Sequence, residues 1–219
     1  MFSVRYFVAA VVLATSLALV PGAAAKKPSH PLTLEVEGQP LSPGAPLEAT
    51  SSTFELENDA FDVHCTESSL VMTLKTNQRP NTIAAKVHAA TFRGGGTIDP
   101  EACEPAPEWV LTWEKTSATL DFFIRGEANL KGAKLKMIPR ENVGTRHEPG
   151  CHLSSKNLKV RFAIGETPQP LVFDFASRFR MEYQQGPICT GENSGFEREP
   201  YMYGEFAFTS EGRPVEVLK

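Results

Sequence analysis

The chain has 219 residues, a formal net charge of −4, 41% hydrophobic residues, 17 Pro, 16 Gly and four Cys. A mildly acidic balance without clustered Lys and Arg excludes nucleic acid as a partner. The length suits one large β domain or two small ones, and the many prolines oppose long helices.

The first 25 residues read as a signal peptide. Arg5 is the only charge before Lys26, an apolar run follows from Phe7 to Val20, and Ala23-Ala24-Ala25 closes the segment. This is the charged, apolar and small-residue order of an export signal. The run is shorter than the ~20 apolar residues a spanning helix needs, and no second long run follows, so no membrane span is expected after cleavage. Residues 26–31 form a disordered lead-in. The expected location is secreted, in an oxidising compartment.

From residue 32 onward, alternation of period two dominates, as in strands with one buried and one wet face. Leu32, Leu34 and Val36 alternate with polar neighbours, as do Leu70, Met72 and Leu74. Leu120, Phe122 and Ile124 repeat the pattern, followed by Leu158, Val160, Phe162 and Ile164. The longest case is Leu171, Phe173, Phe175, Ser177, Phe179, Met181 and Tyr183. Turn signals separate these runs at Gly38-Gln39-Pro40, Ser42-Pro43-Gly44, Gly94-Gly95-Gly96, Pro149-Gly150 and Gly186-Pro187. Short strands at such spacing predict an all-β protein of antiparallel, sandwich-like build.

The cysteines add a second regularity. Cys65 and Cys103 are 38 positions apart, as are Cys151 and Cys189, so the second pair is the first moved by 86 positions. Cys65 and Cys151 each precede a Ser-Ser pair and an apolar run, and both halves close on an aromatic-rich stretch. The pattern predicts two tandem related halves, 32–128 and 129–219, as separate domains or as one continuous sandwich. Four Cys allow three connectivities. Duplication selects Cys65–Cys103 and Cys151–Cys189, one disulfide per half, and the exported context favours disulfides over metal.

The order of features resembles that of uncharacterised secreted actinobacterial proteins. The resemblance rests on Leu32-Thr33-Leu34, the segment from Gly44 to Ser51, Cys65-Thr66-Glu67-Ser68-Ser69-Leu70, the unit from Cys151 to Leu158, and Gly204-Glu205-Phe206-Ala207-Phe208-Thr209-Ser210. It covers most of the chain after the signal peptide. It implies export and a β fold, and it carries no known activity or functional residue.

Chemistry-bearing motifs are sparse. Neither a G-x-S-x-G elbow nor an H-E-x-x-H helix motif occurs, so no catalytic residue is assigned. His64 adjoins Cys65, and His147 and His152 flank Cys151. With Glu148 the latter two offer part of a ligand set, but a metal centre needs three or four converging ligands, so neither metal nor cofactor is expected. His88 is expected on a wet strand face. Glu101, Glu104 and Glu108 read as a solvated acidic loop, and Gly94-Gly95-Gly96 as a hairpin loop. The aromatics are more informative. Tyr201 and Tyr203 share one face of a strand whose other face carries Phe206 and Phe208, so the two rings are expected to point outward. Trp109 and Trp113 also share a face. These four are the candidate binding aromatics, since Tyr and Trp join a large apolar surface to a polar tip. The expected function is a secreted or envelope-associated, non-catalytic β protein of structural or binding character. A secreted carbohydrate-binding module stands second and a secreted hydrolase third. The partner would be a glycan or another component of the cell envelope.

Overall fold

The computed structural model describes residues 31–57, 62–77, 82–94, 102–103, 109–114, 118–144, 150–178, 180–184 and 200–219; along 177–184 only the backbone is described. The expected signal peptide and nearly all of the expected lead-in lie outside these residues, as does Cys189.

The described chain is all-β. Strands β1 (Thr33–Val36) and β2 (Gln39–Pro40) form an N-terminal hairpin. Then β3 (Pro46–Ser51) continues as β4 (Phe54–Glu57), and β5 (Asp62–Cys65) as β6 (Glu67–Thr76). β7 (Thr82–Arg93) stands alone, while β8 (Trp109–Trp113) continues as β9 (Thr119–Phe123) and β10 (Glu127–Lys131) as β11 (Ala133–Pro139). β12 (Cys151–Ser155) continues as β13 (Leu158–Arg161), and the short β14 (Gln169–Pro170) leads into β15 (Val172–Arg178) and β16 (Arg180–Gln184). β17 (Tyr201–Ser210) is followed by β18 (Arg213–Pro214) and β19 (Glu216–Leu218).

These pieces make eight long antiparallel strands, each hydrogen-bonded to the next in sequence. β3 pairs β6, β6 pairs β7, β7 pairs β9, and β9 pairs β10. The meander continues through β13, β15 and β17, and β17 returns to pair β3, Ala207 opposite Thr50. The result is a closed up-and-down β-barrel, in which each of the eight long strands is hydrogen-bonded to a neighbour on both sides. The expected pair of sandwich-like halves is thereby corrected. β9 and β10 are partners in one ladder across the Gly126 turn, and the expected boundary at 128–129 falls inside β10. Alternating patterning is the same in a barrel wall and in a sandwich layer, so only strand pairing separates the two.

The barrel interior is filled by side chains. Phe54, Phe122, Phe173, Phe175 and Phe206 are fully buried, as are Leu47, Leu56, Met72 and Leu74. The rings form a continuous chain. Phe122 meets Phe173 at 5.3 Å, Phe173 meets Phe208 at 4.5 Å and Phe175 at 6.1 Å, and Phe175 meets Phe206 at 5.1 Å. Phe206 then meets Phe54 at 6.2 Å, and Phe54 meets Phe92 at 4.8 Å. Tilted and edge-on contacts of this kind are favoured by the ring quadrupoles.

One end of the barrel is covered by a four-stranded sheet in the order β14, β19, β1, β2. Leu34, Val36 and Val217 of this sheet are buried, as is Val215 just before β19. Asn77, 2% exposed, fixes this cover. Its Oδ1 accepts from the Leu34 amide at 2.8 Å, and its Nδ2 donates to the carbonyls of Leu34 at 2.8 Å and Leu41 at 2.6 Å. A single side chain thus completes the hydrogen bonding between β1 and the residue that follows β2. The hairpin turns Glu37-Gly38 and Glu211-Gly212 have positive φ at both central residues, as two-residue hairpins require.

Elsewhere, among the described residues, β5 has a ladder with β4 but none with β8, and a disulfide ties it to the segment before β8 instead. Cys65 of β5 bonds Cys103, with a Cα–Cα distance of 4.7 Å, and Cys103 exchanges backbone hydrogen bonds with Trp109 of β8. Cys151 is buried and disulfide-bonded, while its expected partner Cys189 lies outside the described residues.

Two outcomes follow. Asn77→Ala leaves Leu34 and Leu41 backbone groups unsatisfied in a buried site and is expected to cost about 2–4 kcal/mol, read as a lower urea midpoint. Replacing Cys65 and Cys103 together by Ser is expected to cost about 2–5 kcal/mol by the same measurement.

Candidate functional site

The inner face of the barrel carries buried apolar side chains, and most of the polar and ionisable ones lie on its outer surface. Among the described residues, the outer faces of β17, β4 and β5 bring two tyrosines together with several ionisable side chains. Antiparallel register builds it row by row. Tyr203 lies opposite Glu55, which lies opposite His64. Tyr201 lies opposite Glu57, which lies opposite Asp62. The Tyr201 and Tyr203 rings are half-buried and nearly parallel, with centroids 5.7 Å apart and planes inclined by 15°. Phe206 and Phe208 fill the core from the other face of β17, so the rings point outward as alternation predicts.

His64 lies between two carboxylates. Its Nδ1 is 3.2 Å from Glu55 Oε1 and its Nε2 3.0 Å from Asp62 Oδ1. Partial burial pulls its pKa down, but the hydrogen bond and charge of Asp62 and the charge and hydrogen bond of Glu55 outweigh it and raise the pKa above the ordinary imidazole value.

Beside this patch the wall steps out of phase. The buried positions of β3 and β4 run Leu47, Ala49, Ser51, then Phe54 and Leu56. Those of β5 and β6 run Val63, Cys65, then Ser68 and Leu70. The extra residues fall at one level, because Ser51 opposes Ser68 and Phe54 opposes Cys65. Paired bulges of this kind bend the strands. They open a groove of about 530 Å³ with Glu48, Ser52, Thr53, Thr66, Glu67 and Glu205 in its lining. Gly204 makes the bend possible. Its φ is +143°, and a Cβ there would stand 3.1 Å from Phe54 Cα and 3.2 Å from the Thr53 carbonyl oxygen. Glu205 follows Tyr203 on the outer face of β17, so groove and tyrosine pair adjoin.

The other candidate residues fall elsewhere. Trp109 is 4% exposed on the inner face, and Trp113 packs half-buried against the core with its Nε1 buried and without a partner. The four candidate aromatics therefore do not form one patch: the tryptophans belong to the inner face and the tyrosines to the outer. His152 Nδ1 is 2.7 Å from Glu114 Oε1, joining β12 to the end of β8. His88 is exposed and its Nε2 contacts Thr73 Oγ1 at 2.8 Å. His147, Glu148, Glu101, Glu104, Glu108, Gly95 and Gly96 lie outside the described residues. Among the described residues no three His, Cys, Asp or Glu side chains converge as a metal site would require.

Sequence reasoning finds the tyrosines but misses Glu55, Glu57, Asp62 and the groove. Alternation assigns a face to each residue, whereas these residues meet Tyr201 and Tyr203 only through the register of β17 on β4 and of β4 on β5. Comparison with protein-family models, curated proteins and solved structures found no match.

The raised His64 pKa sets a pH dependence. Its ion pairs contribute fully below the unfolded imidazole value near 6.5, and the contribution fades as pH rises through the higher folded value. Thermal midpoints of the parent are therefore expected to fall slightly more than those of His64→Gln between about pH 6 and pH 8, within the ~1 kcal/mol typical of exposed pairs.

Proposed function

We propose that the chain is an exported, non-catalytic β-barrel whose outer face around Tyr201 and Tyr203 binds a partner in the cell envelope or outside the cell. One observation carries this reading: two near-parallel tyrosine rings held 5.7 Å apart on a rigid wall, beside carboxylates and a groove. Aromatic rings fixed by the backbone are good anchors because little side-chain freedom is lost on binding. The filled interior supports an outer site, since a full barrel has no room for an internal ligand. Export is supported by the N-terminal signal pattern and by the disulfide, and the likeness to secreted actinobacterial proteins agrees with it.

Descent from a duplicated unit belongs to the same proposal. The displacement by 86 positions that relates the cysteine pairs also aligns buried positions four strands further round the ring. Leu47 and Ala49 meet Ala133 and Leu135, and Cys65 and Ser68 meet Cys151 and Ser154. Ala85 and Val87 meet Leu171 and Phe173, and Leu120 and Phe122 meet Phe206 and Phe208. The two copies would then be the two halves of one barrel, joined edge to edge.

A glycan partner is favoured by the groove next to Tyr203. Its hydroxyls and carboxylates suit hydrogen bonding to sugar hydroxyls, and the rings suit the apolar face of a sugar. The experiment is binding to a soluble glycan panel and to isolated envelope fractions. Tyr201→Ala with Tyr203→Ala is expected to weaken binding at least about tenfold while leaving the fold intact by circular dichroism. Undiminished binding by the double variant would overturn the reading.

A further inference from the structure

We propose that the groove beside Tyr203 is a subsite for a glycan with free amino groups, such as an oligomer of glucosamine, rather than for a neutral one. The proposal rests on the reading of the tyrosine face as a binding surface and names the class of sugar.

Strand register gives the groove a floor of short side chains. Val172 lies opposite Ala207, Ala207 opposite Thr50, and Thr50 opposite Ser69, one row across four strands of the wall. A ligand can therefore lie close to the sheet. At the bulges the groove goes deeper, because its lining there includes Ser51 and Ser68, both buried. Ser51 Oγ accepts from the Thr53 amide at 3.2 Å, whereas Ser68, 1% exposed, has no hydrogen-bond partner for its Oγ. A buried hydroxyl left in this way is costly, and a polar group that enters the groove can satisfy it.

The charges of the groove have one sign. Glu48, Glu67 and Glu205 are in its lining, and no Lys, Arg or His is. Arg93 lies opposite Glu67 outside the lining, and Arg161 opposes Asp174, which stands between it and Glu205. Among the described residues none of the three carboxylates is held in an ion pair. They are also spread out. Glu48 lies opposite Thr209 and Val71, four residues along from Glu205 and Glu67, so the carboxylates at the two ends are about 13 Å apart. A single metal ion needs ligands that converge on one point, which these do not. The spacing suits a ligand that carries several ammonium groups along its length. Thr50, Ser52, Thr53 and Thr66 place hydroxyls among the carboxylates, and these match sugar hydroxyls. A basic peptide fits less well, since β3, β6 and β17 are hydrogen-bonded on both sides and offer no free strand edge to its backbone. Ammonium groups donate charge-assisted hydrogen bonds to the carboxylates, and the end of the ligand beside Glu205 reaches Tyr203.

The test is isothermal titration calorimetry on the disulfide-bonded protein, at a pH where sugar amines are protonated. The probes are an oligomer of glucosamine, the N-acetylated oligomer of the same length, and oligolysine. The glucosamine oligomer is expected to bind at least about tenfold more tightly than either of the others. Glu48→Gln/Glu67→Gln/Glu205→Gln, folded by circular dichroism, is expected to lose that preference while binding the acetylated oligomer as the parent does. Ser68→Ala is expected to weaken the glucosamine oligomer without lowering the urea midpoint, because in the free protein it removes an unsatisfied hydroxyl. An acetylated oligomer or oligolysine that binds as tightly, a triple variant that keeps the preference, or an affinity unchanged by Ser68→Ala would overturn the proposal. If the glucosamine oligomer does not bind but envelope fractions still bind through the tyrosines, the amino sugar falls and the binding face stands. If neither binds, both fall.

Discussion

Pairing of β17 with β3 is the contact on which the rest of the structure depends. Apart from the β17–β4 ladder beside it, the other ladders of the ring join strands that are neighbours in sequence. This one brings Ala207 to Thr50 and Phe208 to Ala49 across most of the chain. It turns an open meander with two exposed edges into a ring. It also defines the interior, since residues on the inner faces of the first and last strands are buried only once the ring closes. The loop-closure cost is paid once and returned by apolar burial of roughly 1.5–3 kcal/mol for each large side chain enclosed.

Closure also decides which face of each strand meets solvent. An eight-stranded barrel is wide enough for side chains or for one small ligand. Here a chain of rings from Phe122 through Phe173 and Phe175 to Phe206 and Phe54 occupies the axis. Most of the polar and ionisable side chains are thereby left to the outer wall. Two devices shape that wall: the paired bulges near Ser52 and Thr66, and the absence of a side chain at Gly204 that lets β4 cross β17 closely. Two fasteners act beyond the ladders of the ring. Asn77 supplies one by completing the hydrogen bonding of β1, and the Cys65–Cys103 bond supplies the other.

The outer surface is as ordered as the core. Tyr203, Glu55 and His64 form one cross-strand row, and Tyr201, Glu57 and Asp62 the next. Rows of this kind join residues distant in sequence, with β17 drawing Tyr203 to Glu55 and β3 drawing Glu48 to Thr209.

By itself the sequence determined the all-β class, the inner or outer face of Leu34, Phe122, Phe173 and Tyr203, and the spacing that puts Cys65 with Cys103. Each of these is local or statistical: a period of two, a turn residue, an even cysteine count. It also placed Trp109 and Trp113 on one face, without saying that this face is the interior. Only the tertiary structure decided barrel over sandwich, the bulge groove, and the company of Tyr201 and Tyr203. The reason is that alternation fixes a residue's face but not the strand beside it. Register and closure depend on the free energy of the whole ring, to which every strand contributes and which no single segment encodes.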